Sequence, residues 1–486
     1  MKKVVLASIL VPIVLLPFVV TFSVSLTQKN KYTESYYAAL IDKYNRLESI
    51  KGKKKIIVVG GSNVAFGLDS LKLKEYFPDY EVQNFGLYGA LGTKVMMDLS
   101  LNNISKGDIV ILAPEVSAQS MSLYFNGDAF LKATEERKEL FFNLPFDNQK
   151  QVIGSYFGFI KERSKLNQPV SLDKNTVYRR SKFNEYGDIS YMEELDGEIV
   201  SFRNSNIMNL GYDSNNKVKI NKSIISSDFI SYANKYANKI KDKGAEIYFD
   251  YSPINSLSVI QPSRDESAIY QEYLQDNLVF PVIGNIRDYI IQSDYFYDTN
   301  FHMNDTGALY RTILLIRDLY TQYGKADKIE SFPQPPVKHD YEYKETEEDI
   351  INQKYFTYEE VDNGVIITGL SDQVTDNKEL RFPGFINHKR VLRYEYRSEV
   401  KNDTIVRLII PECKIEIANK FFDNFTKLSR VDILEKSPTN ISVGVDLIGD
   451  KDDFRFYVPI GSYYSYITDY YWMNYSWMIS TDSGWF

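Results

Sequence analysis

The chain has 486 residues, which is too long for one hydrophobic core and predicts two or three domains. A hydrophobic fraction of 44% excludes a wholly disordered chain, and a net charge of −8 argues against a general nucleic-acid binder. The single cysteine, Cys413, has no second cysteine with which to form an internal disulfide. Histidine is equally scarce, so any imidazole base must be His302, His339 or His388.

An uncharged apolar run extends from Val4 to Leu26 and follows Lys2 and Lys3. As a helix, such a run is long enough to cross the ~30 Å hydrocarbon layer of a membrane. It is also longer than the apolar core of about 7–15 residues that is typical of a cleaved signal peptide. We therefore predict a transmembrane anchor over 1–27, with the main domains at the cell membrane and outside the cytoplasm. A cleaved signal peptide is the alternative.

The next predicted element is a helical stalk over 28–54, because Tyr36, Leu40, Tyr44 and Leu47 recur at helical spacing. The stalk leads into a folded region that we place at 55–330.

That region begins with four β-branched residues, from Ile56 to Val59, which predict a strand buried on both faces. Gly60 and Gly61 then allow a sharp turn, and Ser62 is the first polar side chain after it. Open α/β sheets bind their ligands at this end of a central strand. Ser62 is therefore a candidate nucleophile on a strand-to-helix turn. The alternative is a serine that merely caps a helix.

Strands and helices alternate after the turn and predict a parallel sheet. The alternation stops over about 119–222, which we interpret as a helical insertion that covers the top of the sheet. It resumes near residue 226. The predicted elements are helices over 68–76, 93–101, 226–243, 264–275 and 308–323, and strands over 81–85, 108–112, 246–253 and 279–283.

A serine hydroxyl needs a neighbouring base to act as a nucleophile. His302 precedes the last predicted helix of the sheet, and Asp298 is close enough in sequence to hold the second ring nitrogen. Asp294 is the second candidate for this orienting acid. A surface histidine beside a turn-forming aspartate is the alternative interpretation. Because no His or Cys pair has the spacing of metal ligands, we predict neither a metal site nor a cofactor.

Three of these segments together resemble the SGNH (GDSL-like) hydrolase superfamily. Gly60-Gly61-Ser62-Asn63 is similar to the first sequence block of the family, and 84–89 is similar to the second. Residues 298–302 are similar to the final Asp-x-x-His block, with one residue inserted. The resemblance covers about 55–325. It implies a three-layer flavodoxin-like fold in which Ser62, His302 and Asp298 form the catalytic triad and the Gly89 amide stabilises an oxyanion.

One block departs from the family pattern. The third block normally ends in an asparagine that completes the oxyanion hole, whereas this chain has Ala113-Pro114-Glu115. An ionised carboxylate would repel a developing oxyanion. Three outcomes stay open: Asn63 or another amide substitutes, Glu115 turns away, or the site is inactive.

The order of an amino-terminal span and an SGNH-like domain resembles membrane-anchored family members. Those members assist D-alanylation of the cell wall or O-acetylation of exported polysaccharides. The resemblance implies a serine acylesterase or O-acyltransferase that acts on a cell-surface or exported glycan beside a membrane-bound O-acyltransferase. The alternative is a non-catalytic surface protein that binds glycan or protein.

Residues 331–352 are rich in proline and then in charge, which predicts a linker. Beyond 353, the motifs 380–383, 408–411 and 431–434 recur at the interval of leucine-rich repeats, and 415–428 resembles the repeat body of BspA-like bacterial surface proteins. We predict a small β-rich leucine-rich-repeat domain over 353–486. Its family usually serves recognition or adhesion. An unrelated β-sandwich is the alternative.

Overall fold

The computed structural model describes residues 29–481 apart from 167–168, 171–175, 196–197, 202–207, 209–210, 261–265, 326–331, 334–342, 445, 460–461 and 470, and it also describes 16, 20 and 23. The predicted anchor over 1–27 therefore lies outside the described residues, except for those last three positions. Within the described part of the chain, no helix is both long and apolar enough to cross a membrane.

The amino-terminal part alternates strands and helices, as the sequence predicts. Its elements in chain order are α1 (Ala39–Ser49), β1 (Lys55–Gly60), α2 (Ser62–Phe66), α3 (Ser70–Tyr76), β2 (Glu81–Gly86), α4 (Thr93–Leu101), β3 (Ile109–Ala113), α5 (Gly127–Ala133), α6 (Phe146–Lys165), β4 (Met192–Leu195), β5 (Glu198–Ser201), α7 (Ser227–Asp242), β6 (Glu246–Phe249), β7 (Ile254–Asn255), α8 (Glu266–Asn277), β8 (Ile290–Ile291) and α9 (Asp305–Gln322).

The central sheet is parallel, with the strand order β2-β1-β3-β6. In β1, Ile57 and Val59 enter one hydrophobic cluster, whereas Ile56 and Val58 enter another on the opposite face. This two-residue period is that of a strand covered on both sides. The α/β class and the buried character of the first strand are therefore confirmed. Helices α1, α4 and α7 contribute to the first cluster, and α3 and α9 to the second.

The predicted stalk is part of this core. Helix α1 buries Leu40, Tyr44 and Leu47 in the cluster on its side of the sheet. The prediction of a separate stalk over 28–54 was therefore wrong. The same four-residue spacing that indicates a helix also gives it an apolar face, and that face packs on the sheet.

The strand predicted over 279–283 is reduced to a short pairing at the edge of β6. Phe249 donates its N–H to the Pro281 carbonyl at 2.8 Å and accepts from the Ile283 N–H at 2.9 Å. Proline cannot donate a ladder hydrogen bond, which limits the length of this strand.

The carboxyl-terminal part is rich in short strands. Its elements are α10 (Glu347–Asn352), β9 (Phe356–Val361), β10 (Gly364–Leu370), β11 (Glu379–Arg381), β12 (Phe385–Ile386), β13 (Lys389–Tyr394), β14 (Arg407–Ile410), β15 (Ile415–Ile417), β16 (Arg430–Ile433), β17 (Ile441–Val443), β18 (Arg455–Val458), α11 (Tyr463–Thr468) and β19 (Ile479–Thr481).

These strands build two sheets around a separate hydrophobic cluster. One has the order β11-β14-β16-β18-β19 and is parallel throughout, and the other has the order β17-β15-β13-β10-β9. From β14 to β18 the chain alternates between the sheets. Leu408, Val431 and Phe456 consequently stand side by side in neighbouring strands. This parallel stacking differs from the antiparallel pairing of a β-sandwich.

Part of the predicted linker is helical. Helix α10 begins after Thr346, whose side chain and that of Asp349 form a reciprocal capping box. Asp349 also accepts the Gly384 N–H at 2.7 Å, which ties the helix to the following strands. An acidic first turn suits a helix amino terminus. The charged run therefore has a local reason to be helical that composition alone does not reveal.

Candidate active site

Ser62 lies where the sequence predicts, at the carboxyl end of β1 and the first turn of α2, and it is buried. The turn is tight because glycines let neighbouring backbones approach. A Cβ atom at Gly60 would stand 2.5 Å from the Ala113 carbonyl oxygen, and one at Gly86 would stand 2.7 Å from the Gly61 carbonyl oxygen. A side chain at Gly60 would push β1 away from β3, and one at Gly86 would push β2 away from the serine turn.

Glu115 faces the serine. The Ser62 hydroxyl donates to Glu115 Oε1 at 2.9 Å, and the backbone N–H of Asn63 donates to the same oxygen at 3.2 Å. The other carboxylate oxygen faces Gly89, where a Cβ atom would stand 3.8 Å away. Glu115 thus does not turn away. Its carboxylate lies between the serine turn and the glycine turn after β2.

The side chain of Asn63 serves the turn itself. Its Nδ2 donates to the Ala113 carbonyl at 2.9 Å, and its Oδ1 accepts the Gly61 N–H at 3.1 Å. The group of Asn63 that points at the site is therefore its backbone N–H. Among the oxyanion candidates, the structure brings Asn63, Gly89 and Glu115 together at one place.

The second half of the site is on the loop before α9. His302 Nδ1 is 2.8 Å from Asp298 Oδ1, and both residues are largely buried. An ionised carboxylate only accepts hydrogen bonds, so the proton of the neutral imidazole is on Nδ1 and Nε2 is the basic nitrogen. Asp298 is thus the residue that orients His302. The carboxylate of Asp294 instead accepts from Gln292 Nε2 at 3.2 Å.

A single short helix links the two halves. Ser62 and Phe66 are at opposite ends of α2, and the Phe66 ring lies flat on the imidazole of His302, with centroids 4.1 Å apart and an angle of 3° between the planes. Helix α2 therefore carries Ser62 at one end and the ring that contacts His302 at the other. In this conformation the only hydroxyl proton of Ser62 is donated to Glu115, so it is not donated to His302.

Sequence reasoning missed two tyrosines of the site. The first is Tyr178, from the insertion, whose hydroxyl donates to Asp298 Oδ2 and lies 3.0 Å from His302 Nδ1. Burial and the charge of Asp298 raise the pKa of Tyr178 far above its usual value, so the hydroxyl stays protonated and remains a donor. The aromatic composition of 119–222 was the one available signal.

The second missed residue is Tyr36, which precedes α1. Burial raises its pKa, and the charges of Asp298 and Glu115 raise it further. That hydroxyl is buried, and no hydrogen-bond partner for it is found among the described residues. A buried hydroxyl without a partner is costly, so a ligand or water at this point would stabilise it.

The remaining predicted candidates lie elsewhere. His388 is exposed in the carboxyl-terminal part and contacts Glu345, and His339 lies outside the described residues. Cys413 is buried, and burial raises the pKa of its thiol. Across the described ranges, no group of His, Cys, Asp and Glu side chains is arranged to hold a metal ion.

Comparison with known proteins leaves the chain without an assigned family. No protein-family model matches it, and no curated protein matches it. Among solved structures, the YXIM protein of Bacillus subtilis is similar to this chain with 11% identity and a TM-score of 0.28, over 56% of this chain and 57% of that one. The chain thus spans little more than half of that neighbour, and the two shapes agree too weakly to indicate a function.

Proposed function

We propose that the chain is an SGNH-like serine acylesterase or O-acyltransferase of a cell-surface or exported glycan. In this proposal, residues 1–27 anchor it in the membrane and residues 55–330 form a flavodoxin-like catalytic domain outside the cytoplasm. The observation that carries the proposal is the ordered pair His302–Asp298, stacked through Phe66 on the helix that begins with Ser62. The sheet order 2-1-3, continued by β6, supports the fold assignment.

The chemistry follows from the positions of these groups. Ser62 Oγ attacks the acyl carbonyl carbon while its proton passes to His302 Nε2, and Asp298 stabilises the imidazolium. The backbone N–H of Asn63, together with that of Gly89, stabilises the oxyanion. Collapse of the intermediate breaks the ester bond, and His302 returns the proton to the leaving alcohol. Water or a glycan hydroxyl then attacks the carbonyl carbon of the acyl-serine, and its proton goes to His302. The bond between that carbon and Ser62 Oγ breaks, and His302 returns the proton to Ser62, which regenerates the free enzyme.

This cycle requires Glu115 to leave the oxyanion position. While the carboxylate accepts from Ser62 and Asn63, an acyl oxygen cannot occupy the same place. Rotation of the Glu115 side chain would free both donors. The Tyr36 hydroxyl, which has no hydrogen-bond partner among the described residues, is then a further candidate donor to the substrate.

A second candidate function rests on the same carboxylate. If Glu115 stays in place, the chain is a non-catalytic SGNH-fold protein that binds glycan or protein at the surface. Its carboxyl-terminal region, which we propose to be a short leucine-rich-repeat domain, would then supply recognition. The alternation of β14 to β18 between two parallel sheets supports that assignment.

Covalent labelling separates the two functions. We expect a fluorophosphonate probe to label the full-length protein at Ser62, and we expect Ser62→Ala to abolish both labelling and ester hydrolysis without changing the melting temperature. The matched control is Ser70→Ala, which removes another buried serine hydroxyl at a helix start, one that donates to Asp188. Labelling that persists in Ser62→Ala, or a wild-type protein that never labels, would reject the catalytic proposal.

A further inference from the structure

Helix α6 of the insertion exposes large apolar side chains. Phe146 is 70% exposed, Ile153 54% and Phe157 38%, and Phe142 in the preceding turn is 76% exposed. At 100° per residue, the three helical positions lie within about 40° of each other around the axis, so they form one stripe. A soluble surface rarely carries such a stripe without a partner.

The opposite side of α6 holds it rigidly on the domain. Val152 and Phe159 are buried, and Arg163 forms a fully buried ion pair with Glu135 at 2.9 Å. The exposed stripe is therefore not a frayed segment that could turn its apolar residues inward. Gly154 and Gly158 lie on the outer side with open space around them. Because they have no side chains, another surface can approach the helix backbone closely at these positions.

The amino-terminal segment meets the protein at this helix. Arg163 Nη2 donates to the Lys29 carbonyl at 3.2 Å, and the Tyr32 ring packs on Phe159 with centroids 5.9 Å apart. The uncharged apolar run from Val4 to Leu26 ends a few residues before Lys29 in the sequence, and Lys29 contacts the carboxyl end of α6. The helix has 20 residues and is about 30 Å long, so every residue of the stripe lies within about 30 Å, measured along the helix, of the contact with Lys29.

The charges around the stripe fit a phospholipid surface. Lys161 and Lys165 are exposed at the end of α6 that lies near Lys29. The nearby carboxylates are paired with lysines: Lys132 lies 2.7 Å from Asp128 and 3.0 Å from Glu162, and Lys150 lies 3.3 Å from Asp147. An apolar stripe with lysines beside it is the pattern of a helix that lies in a membrane interface.

We propose that α6 docks on the lipid bilayer, with Phe142, Phe146, Ile153 and Phe157 inserted among the headgroups. The inference rests on the proposed anchor over 1–27 but not on the proposed chemistry. Docking would place this helix of the insertion at the membrane surface.

Single-cysteine labelling tests the docking. Cys413 is buried, so a thiol introduced at Ile153 can be labelled selectively with the environment-sensitive dye NBD. The matched control is Gln151→Cys, two residues away, exposed, and about 160° around the same helix. Full-length protein is reconstituted in vesicles of phosphatidylcholine and phosphatidylglycerol, and flotation of the vesicles reports the anchor independently.

We expect the Ile153→Cys label to emit at shorter wavelength than the Gln151→Cys label and to be quenched by brominated acyl chains, whereas the control label is not. Equal emission from the two positions in floating vesicles overturns the inference while leaving the anchor intact. Failure to float overturns both. A blue-shifted label that brominated lipid does not quench, and that responds to protein density, would assign the stripe to contact between copies of this chain. Any of these results leaves Ser62 labelling as a separate measure of the chemistry.

Discussion

At the scale of single residues, the candidate site combines an ordered His302–Asp298 pair with a carboxylate that binds the Ser62 hydroxyl. His302 has its second nitrogen held by Asp298 at 2.8 Å. Ser62, however, donates to Glu115. The position of this one side chain therefore decides whether the proposed reaction can begin.

Replacing Glu115 by Gln should increase the rate of Ser62 acylation. The amide removes the negative charge and can donate to the oxyanion, and one oxyanion donor is worth roughly 10²–10³-fold in rate. We expect a gain of about tenfold or more in fluorophosphonate labelling, because the wild-type side chain can also rotate away. Glu115→Leu, which removes the charge without adding a donor, should gain less. If both variants lose labelling, Glu115 is instead needed to activate the serine.

Replacing Tyr178 by Phe should lower kcat with little change in KM. The variant removes a hydrogen bond to the charged Asp298, worth about 1.5–3 kcal/mol, and so predicts a loss of roughly tenfold or more. Because the hydroxyl also lies 3.0 Å from His302, the pH profile of kcat should move as well. Tyr232→Phe removes a similar hydrogen bond, to Asp98, away from the site, and should leave that profile where it is.

At the scale of elements, a buried lysine joins α1, β2 and the insertion. Lys43 Nζ donates to the Asn84 carbonyl at 3.1 Å and also to the Gly187 carbonyl. Asp188 accepts from Ser70 and Asn84, which holds the same corner together. Burial lowers the pKa of Lys43 to about 7 from its usual 10.5. The attachment of the insertion is therefore sensitive to pH.

The contribution of Lys43 to the stability of the wild-type protein should rise with pH in this window. Between about pH 7 and 10.5 the unfolded chain binds more protons at Lys43 than the folded one, so the free energy of unfolding increases by up to about 1.4 kcal/mol per pH unit. As the pH falls towards 7 this contribution is lost. Lys43→Met should remove it. In urea unfolding at several pH values, the free energy of unfolding of the wild type minus that of Lys43→Met should increase as the pH rises.

The exposed Lys51→Met variant serves as the control for this titration, and its difference from wild type should stay constant over the same range. A constant difference for Lys43→Met as well would contradict the assignment. The measurement does not depend on the catalytic proposal.

How much could be predicted from sequence follows from how local each signal is. The β-branched run of β1, the glycine turn and the Asp298–His302 spacing are short-range patterns, and the structure forms the buried strand, the turn at its carboxyl end and the Asp298–His302 pair. Tyr36 and Tyr178 enter the site through tertiary packing with Phe66, at ring distances of 6.4 and 5.6 Å, and no local pattern marks such a contact. The separate stalk was wrong for the same reason, since periodicity indicates an apolar face but not what it packs against.

At the scale of the whole molecule, the described chain has separate hydrophobic clusters on either side of residue 340. The carboxyl-terminal cluster is built around aromatic rings that pack edge to face, such as Phe421, Phe422 and Phe456. The clusters of the amino-terminal part draw on β1 and the helices around it. Each part therefore has the apolar interior that an independently folding domain requires.

Replacing Phe422 by Ala should destabilise the carboxyl-terminal part alone. Loss of a fully buried phenylalanine typically costs about 3–5 kcal/mol. Calorimetry should show one transition at lower temperature, and labelling of Ser62 below that transition should be unchanged. Leu112→Ala, in the sheet of the amino-terminal part, should move the other transition. A single transition that both variants shift together would show that the two parts unfold as one unit.

The short helix α2 has a mechanical consequence for the proposed enzyme. It begins with the serine and ends with the ring that covers one side of the imidazole. Because the serine and the ring that stacks on the imidazole belong to one short, buried helix, a variant that shifts this helix should disturb Ser62 and His302 together. The Phe66 ring also covers one face of the imidazole, so an incoming alcohol cannot approach the base from that face.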